Sequence, residues 1–169
     1  MISGYGRGVT IELEGRIREA GLRVTGQRLA VLHALESAPH SDADEVHRAV
    51  LTTLPGFSLQ ATYVVLAALT DAGLIRRIEP AGSPARYERR IDDNHHHVVC
   101  TSCGAVEDVD CVHGAAPCLA PSSTGGFTVT TAEITFWGLC PACQASTTQA
   151  GTGTAKAARA TVPTQSTTT

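Results

Sequence analysis

Two Cys-x-x-Cys pairs are the strongest chemical signal in the sequence. Cys100 and Cys103 form the first pair, Cys140 and Cys143 form the second, and 36 residues separate the pairs. Each pair can present two thiolates to one ion, and two pairs together complete a closed tetrahedral Zn²⁺ site. A redox dithiol is the alternative, but neither pair opens a helix in a βαβ pattern. The spacing therefore favours a structural zinc.

A run of three histidines precedes the first pair. In an extended strand, side chains alternate between two faces, so His95 and His97 share one side while His96 and Cys100 share the other. One strand can thus serve two separate sites. The two imidazoles on one side need further ligands from elsewhere in the chain.

Three side chains are candidates to complete the histidine site: His40 before a helix, Glu88 at the end of a hairpin, and Asp108 on the next strand. Taken singly, His40 could be a cap, Glu88 an ion-pair partner of Arg86 or Arg90, and Asp108 a solvated residue. Together with the two histidines they form an imidazole and carboxylate set. Such a set suits Fe²⁺ or Mn²⁺ better than a soft thiolate site does, although Zn²⁺ would also bind.

The other cysteines, Cys111 and Cys118, lie with His113 in a polar segment. A third metal site or a thiol switch there stays open. Six cysteines in a chain with no export signal indicate metal or redox chemistry rather than disulfides, because the cytosol keeps thiols reduced. His33 and His47 lie on predicted helices and are interpreted as structural.

Length and composition bound the class of protein. A chain of 169 residues, 43% hydrophobic and 17% charged, suits one or two small domains and excludes a large multidomain enzyme. No apolar run approaches the roughly 20 residues of a membrane span, and the first ten residues lack a signal-peptide pattern. We therefore expect a cytoplasmic protein with no membrane partner.

Charge is distributed unevenly along the chain. Residues 1–90 carry 11 arginines against 10 acidic residues, whereas residues 91–145 carry 6 acidic residues and no lysine or arginine. This is not a broadly basic chain. If DNA is bound, the contact must come from a local arginine-lined surface of the first half, doubled by a dimer.

Apolar periodicity predicts four helices in the first half. They cover residues 11–20, residues 28–36, a short stretch through Val50, and residues 58–70. Thr25 is the expected N-cap of the second helix, and Ser41 with Asp44 resembles a capping box for the third. Gly73 closes the fourth helix. Short helices of this kind are compatible with a helix-turn-helix bundle.

After Gly73 the period changes to two and predicts a hairpin. Its strands cover residues 74–79 and 85–90 around a Pro/Gly loop, and they carry five arginines. This pattern is typical of a wing beside a recognition helix, but a solvated hairpin fits it equally well.

Strand-like alternation returns in residues 97–110 and 127–139, with a loop or one helical turn over 111–126. From residue 145 onward the chain contains nine threonines and little that could be buried. Such a composition predicts a disordered tail.

The order and spacing of several motifs resemble the ferric uptake regulator family of bacterial metal-dependent repressors. The resemblance covers about residues 12–145. It rests on residues 21–28 (GLRVTGQR), 38–40 (APH), 43–45 (ADE), 58–63 (SLQATY), 71–74 (DAGL), 86–88 (RYE) and 95–104. Residues 93–97 (DNHHH), 110–111 (DC), 117–118 (PC) and 136–141 (FWGLCP) are most similar to the peroxide-responsive actinobacterial branch, which represses catalase or catalase-peroxidase genes.

The resemblance implies an α+β fold and a homodimer. Residues 1–90 would form a winged helix-turn-helix DNA-binding domain, residues 91–145 a small α/β dimerisation domain that binds metal, and residues 146–169 the tail. Carried over by position, the regulatory Fe²⁺ or Mn²⁺ ligands at the domain junction are His40, Glu88, His95, His97 and Asp108. The structural zinc ligands are Cys100, Cys103, Cys140 and Cys143.

In such a repressor, one ion joining the two halves would orient both recognition helices of the dimer toward double-stranded operator DNA. The expected base readers are Tyr63 and Gln60, although Tyr63 could instead pack between helices. Ser58, where their helix starts, is a further expected DNA contact. The expected phosphate contacts are Arg23, Arg76, Arg77 and Arg86.

Asp108 suggests the signal. In this family an aspartate at that position is associated with peroxide-sensitive members and a glutamate with plain iron sensors. The implied signal is hydrogen peroxide, reduced at bound Fe²⁺ so that His40 or His95 is oxidised, becomes a poor ligand and ends repression. A repressor that senses iron, manganese or nickel alone stays an alternative, as does a thiol-based redox repressor using Cys111 and Cys118.

Three features depart from the family pattern. Gly26 stands where a proline is usual, Val64 follows Tyr63 where a polar residue is usual, and the segment 111–126 replaces a helix. The valine at position 64 affects the expected DNA sequence preference. The segment 111–126 affects the expected dimer interface. The hinge also lacks the extra cysteine of zinc-sensing relatives, which disfavours a zinc sensor.

An enzyme is the remaining class. A zinc-dependent hydrolase could use His95, His97 and Glu88. However, no HExxH spacing accompanies these residues, and no general base is evident outside the ligand set. We therefore expect a regulator without catalytic residues or a small-molecule substrate, with peroxide acting only as a signal.

Overall fold

The computed structural model describes residues 7–91, 95–110, 124–129 and 134–150. Within these ranges, four helices precede a hairpin, a three-stranded sheet and a further helix. The elements are α1 (Arg7–Glu19), α2 (Gly26–Ser37), α3 (Ala43–Leu51), α4 (Leu59–Asp71), β1 (Arg76–Ile78), β2 (Arg86–Glu88), β3 (His95–Cys100), β4 (Val106–Asp110), β5 (Thr135–Gly138) and α5 (Pro141–Ala150). This arrangement confirms the expected α+β class.

Side-chain caps begin three of the helices. Thr25 caps α2 as predicted, and Ser58 caps α4. The cap of α3 is Asp42 rather than the predicted Ser41, and Asp42 forms a reciprocal capping box with the third residue of the helix. Ser41 has another role: its carbonyl accepts the amide of Tyr87 at 3.0 Å, which leaves the capping position to its neighbour.

One hydrophobic core holds the helical half together. It lies between α1, α2, α3 and α4 and reaches the hairpin at Tyr87. Ile17, Leu66 and Leu69 have no exposed surface. Gly73, with φ +67°, ends α4 as expected, because glycine adopts the left-handed conformation without strain.

The two sheets are small. Strands β1 and β2 pair antiparallel and are three residues long, shorter than the predicted strands. The second sheet has the order β4-β3-β5, with β3 antiparallel to β4 and parallel to β5. Its register sets His97 opposite Asp108 and Cys100 opposite Gly138.

Two expectations for the second half are corrected. Residues 127–129 lie in no strand, and α5 continues to Ala150, past residue 145 where the tail was expected to start. Composition missed this helix, whose first residue, Pro141, occupies the position where proline favours a helix start. Residues 111–123 and 151–169 lie outside the described residues. The three-part division of the chain stays a prediction.

Candidate metal centres

A cluster of imidazole and carboxylate groups lies between the helical half and the three-stranded sheet. The possible ligand atoms of His40, Glu88, His97 and Asp108 all lie within 4.8 Å of one another. His40 Nε2 is 3.0 Å from Glu88 Oε2 and 2.7 Å from Asp108 Oδ1. His97 Nε2 is 3.3 Å from Glu88 Oε1 and 3.6 Å from Asp108 Oδ1. Four of the five expected regulatory ligands therefore meet.

The fifth expected ligand, His95, lies beside this group. Its buried Nε2 is 3.1 Å from Glu88 Oε1 and 3.7 Å from Asp108 Oδ1. An arginine also reaches this nitrogen. One guanidinium nitrogen of Arg76 lies 3.3 Å from His95 Nε2 and 3.6 Å from Glu88 Oε1, because Arg76 stands opposite Glu88 in the hairpin.

The backbone directs His40 toward the cluster. His40 has φ 60°, the one non-glycine residue with positive φ in the described part of the chain, and histidine tolerates this region better than most residues. Ser41 then bridges to Tyr87 on β2. The Arg86 guanidinium, also on β2, contacts the His40 carbonyl at 3.5 Å and two carboxylates of the α3 cap. The His40 loop and β2 are therefore fixed to each other.

The sheet supplies the remaining ligands. Along β3, buried His95 and His97 flank a less buried His96, as strand alternation predicts. Strand β4 places Asp108 directly opposite His97. The cluster thus draws on the loop before α3, on the hairpin and on the sheet.

Burial and pairing together set the charges in the cluster. Burial raises the pKa of Glu88, but its hydrogen bond with His40 and the nearby His97 imidazole outweigh burial and lower the pKa to about 2. Burial lowers the pKa of His40, yet the Glu88 hydrogen bond and the Asp108 charge raise it above the ordinary 6.5. These opposite shifts favour an ionised Glu88 beside a protonated His40.

The residues of this cluster fit a divalent ion. His97 Nε2 is buried without a hydrogen bond at the point where two carboxylates converge. Such an atom is costly unless something takes its lone pair. A cation there would use that lone pair and neutralise both carboxylates. Imidazole and carboxylate donors suit Fe²⁺ or Mn²⁺.

The four cysteines of the two pairs form a second cluster, with all four sulfur atoms within 4.8 Å of one another. Cys103 Sγ and Cys140 Sγ are 3.7 Å apart, and the Cys140 amide donates to Cys100 Sγ at 3.3 Å. The parallel pairing of β3 with β5 sets Cys100 opposite Gly138, which brings the second pair beside the first.

The thiols of this second cluster differ in acidity. The amide of Cys140 and other backbone amides lower the pKa of Cys100 to about 6. For Cys143, the Ser102 hydroxyl lowers the pKa, but the neighbouring thiols together raise it to about 12. The first thiol therefore loses its proton readily, whereas the neighbouring sulfur atoms oppose deprotonation of the later ones. A divalent ion removes that opposition, and four thiolates at this spacing fit Zn²⁺.

Strand β3 serves both clusters. His97 and Cys100 are three residues apart and therefore face opposite sides of the strand. This matches the expectation that one strand feeds two sites.

The predicted base readers lie on an exposed face. Tyr63 is 46% exposed and Gln60 is also exposed, which argues against packing between helices as the role of Tyr63. The Ser58 hydroxyl is engaged as the cap of α4, where it accepts the Ala61 amide. Arg23 is exposed at the end of the α1–α2 connection.

The four predicted phosphate contacts divide into two kinds. Arg77 is 49% exposed and pairs only with nearby Glu79 among the contacts described for its side chain, so it and Arg23 can reach a partner outside the chain. Arg86 is 16% exposed and binds carboxylates of α3, and Arg76 contacts the histidine cluster. These partners argue against phosphate roles for Arg76 and Arg86.

One neighbour of the cluster was not anticipated. Arg90 contacts Asp108 Oδ2 at 3.2 Å and also Asp110, carboxylates that the sequence had not linked to it. The pairing depends on the β3–β4 register, which the sequence does not reveal. Cys111, His113 and Cys118 lie outside the described residues. In the described ranges, every helix is too short or too polar to cross a bilayer.

Comparison with known proteins points to one family. The model of the ferric uptake regulator family matches residues 19–136. The transcriptional regulator FurA of Mycobacterium tuberculosis is 54% identical over 133 residues, which is 79% of this chain and 90% of FurA.

More distant relatives agree with this match. The peroxide-responsive repressor PerR of Staphylococcus aureus is 31% identical over 130 residues, covering 76% of this chain and 86% of PerR. The solved structure of the ferric uptake regulator of Helicobacter pylori, described as having three functional metal-binding sites, superposes with a TM-score of 0.59. That alignment covers 83% of this chain and 95% of the other at 20% identity, so it supports the fold.

Proposed function

The chain belongs to the ferric uptake regulator family, and from this premise we propose that it is a metal-dependent transcriptional repressor that binds operator DNA as a homodimer. One observation carries the proposal: ligand atoms of His40 and Glu88 from the helical half meet those of His97 and Asp108 from the sheet within 4.8 Å. A single ion at this point would tie the two halves together. Metal would then act as the corepressor.

Two kinds of ion have separate roles in this proposal. Zn²⁺ held by Cys100, Cys103, Cys140 and Cys143 would be structural, because a closed four-thiolate site leaves no open coordination position. Fe²⁺ or Mn²⁺ held by the cluster of His40, Glu88, His95, His97 and Asp108 would be regulatory. Its donors would come from both the helical half and the sheet. Binding of the metal would therefore be linked to the relative orientation of these two parts.

The helical half would make the DNA contacts that the metal controls. Helix α4 exposes Gln60 and Tyr63, side chains that can reach base edges in the major groove, while Arg23 and Arg77 can hold phosphates. Fixing the relative orientation of two such helices in a dimer sets their spacing on DNA. A difference of a few kcal/mol in metal affinity between the two shapes is enough to shift their populations by orders of magnitude.

We further propose that hydrogen peroxide is the signal and that catalase-type genes are the targets. Two observations support this step: the similarity to PerR of S. aureus, and an aspartate at position 108. Bound Fe²⁺ would supply the electron that splits peroxide. The chain would hold His40 and His95 against the same Glu88 carboxylate, at 3.0 and 3.1 Å. One oxygen atom of the peroxide would enter a ring C–H bond of one of these histidines, and the other oxygen would leave as water. An oxidised imidazole is a poor ligand, and its loss would free the His40 loop.

Binding of fluorescent operator DNA with Fe²⁺, Mn²⁺, Ni²⁺ or Zn²⁺, each with and without peroxide, tests this function. We expect metal-dependent binding that peroxide abolishes with Fe²⁺ and leaves intact with Mn²⁺, because Mn²⁺ does not reduce peroxide. Mass spectrometry should then find one added oxygen on a peptide containing His40 or His95.

Other outcomes assign other functions. Metal-dependent binding that peroxide leaves intact, with unmodified histidines, would indicate a metal sensor alone. Loss of binding with diamide that a reductant reverses would indicate a thiol switch. DNA binding indifferent to every metal would refute the corepressor role.

A further inference from the structure

Helix α4 has one buried and one exposed face. Thr62, Val65, Leu66 and Leu69 are buried in the core. The residues spaced at 60, 63, 64 and 67 form a single exposed stripe. This stripe faces away from the core and is the part of α4 that can contact another molecule.

The exposed stripe carries no positive charge. Its members are Gln60, Tyr63, Val64 and Ala67, and the one charged residue of the whole helix is the exposed, acidic Asp71 at its last position. Guanine is usually read by an arginine or a lysine through its O6 and N7 atoms, so this helix lacks a guanine reader. A glutamine can read adenine, and apolar side chains can contact the thymine methyl group.

Val64 is the residue that most needs an explanation on this stripe. It is 60% exposed, whereas its neighbour Val65 is 7% exposed. It also lies beside Tyr63, which is 46% exposed, so the two form an apolar surface rather than a single exposed residue.

A positively charged arginine side chain lies beside this apolar surface. Tyr63 and Arg77 of the hairpin line one cavity, together with Asp42 and Asp44 on the α3 side. Arg77 therefore lies beside Tyr63 of the stripe, where it could meet a backbone phosphate at the rim of the groove while the stripe meets base edges on the groove floor.

We propose that Val64 determines DNA specificity by packing against the 5-methyl group of a thymine in each operator half-site. The inference rests on the proposed function, since it requires specific DNA binding. It adds a residue and a chemical group: thymine is favoured over cytosine or uracil at this base because of its methyl group, which Val64 shields from water. Burying one methyl-sized group corresponds to about a fourfold gain in affinity per half-site.

A cycle of protein and DNA substitutions tests the proposal. Duplexes are first selected from a random pool by the full chain with Mn²⁺. Each thymine of the selected duplex is then replaced by uracil, which removes only the methyl group, and affinity is measured by fluorescence anisotropy. At one thymine per half-site we expect about a fourfold loss for the unaltered protein and no loss for Val64→Ala.

Two further variants serve as controls for this cycle of substitutions. Val9→Ala makes the same truncation at an exposed valine of α1 and should keep the full uracil effect. Val64→Asn should reduce the thymine preference in a second selection while circular dichroism stays unchanged, which separates a specificity change from a folding defect.

Three results would overturn the inference. A uracil effect of equal size in Val64→Ala assigns the methyl contact to another residue. The absence of any uracil effect removes the contact altogether. Failure of the unaltered chain to select any duplex with any metal would refute DNA recognition itself and is thereby distinguishable from the other two.

Discussion

His40 Nε2 lies 2.7 Å from Asp108 Oδ1, although the two residues are 68 positions apart in the sequence. His40 is fixed to the hairpin through Ser41 and Arg86, whereas Asp108 belongs to the sheet. The contact therefore joins the helical half to the sheet.

Replacing His40 by alanine should weaken Mn²⁺ binding at the regulatory cluster by at least about tenfold, the scale on which even indirect ligand contacts matter. Calorimetric titration measures this affinity. His47→Ala is the matched control, because His47 bonds to Thr62 on α4 and not to the cluster. Zinc content should stay unchanged in both variants. Equal Mn²⁺ affinity in His40→Ala and the unaltered protein would remove His40 from the ligand set.

Replacing Asp108 by glutamate should keep metal-dependent DNA binding and remove the peroxide response. The longer side chain keeps the charge but moves the carboxylate that now lies 2.7 Å from His40 and 3.6 Å from His97. Peroxide is titrated against the Fe²⁺-loaded variant bound to DNA, and oxygen addition is measured on the histidine peptides. A variant as sensitive as the unaltered protein would show that this position does not set the response.

Metal affinity at the cluster should fall as the pH is lowered from about 8 to about 5.5. The pKa of His40 is raised above 6.5, so protons compete for its Nε2 already near neutral pH, whereas Glu88, with a pKa of about 2, stays ionised throughout. Below the pKa of His40 the slope should approach about tenfold per pH unit for one displaced proton. His40→Gln should flatten it.

The same shifts predict the pH dependence of folding without metal. The raised pKa of His40 stabilises the fold below pH 6.5, and this contribution is lost as the pH rises through the folded-state pKa. The lowered pKa of Glu88 stabilises the fold above pH 4.5 and is lost as the pH falls toward about 2. Urea unfolding of the chelator-treated protein across this range measures both. In Glu88→Gln the acidic loss should disappear.

Replacing Arg76 by glutamine should strengthen regulatory metal binding several-fold. The Arg76 guanidinium lies 3.3 Å from His95 Nε2 and opposes a second positive charge there. Arg77→Gln is the control one residue along the same strand. It should leave metal affinity unchanged and reduce the salt dependence of DNA binding by about one phosphate contact. If both variants gained metal affinity equally, the gain would come from lowering the overall positive charge of the hairpin and not from the contact between Arg76 and His95.

Local chemistry in the sequence indicated the candidate ligand groups, and the family resemblance joined them into one regulatory set. Strand alternation separated His95 and His97 from Cys100, and the helix cap at Thr25 followed from residue type. Where two local solutions competed, tertiary contacts decided: Ser41 bridges to Tyr87, so Asp42 became the cap of α3.

The arginines were harder to assign from sequence. Arg76, Arg77 and Arg86 look equivalent as basic residues of a wing, but hairpin pairing turns Arg76 toward Glu88, and Arg86 reaches the α3 cap. Their partners are distant in sequence and depend on register. Helix α5 was missed because its small and polar residues resemble a tail more than a packed element.

Strand β3 holds one ligand of each cluster, with His97 three residues from Cys100. The order of the histidine end therefore depends on the thiolate end of the same strand. Under the proposed function, removing zinc would disorder the histidine cluster and release the DNA even when the regulatory metal is present. A regulator built on this strand would need zinc at the cysteines before it could respond to the metal at the histidines.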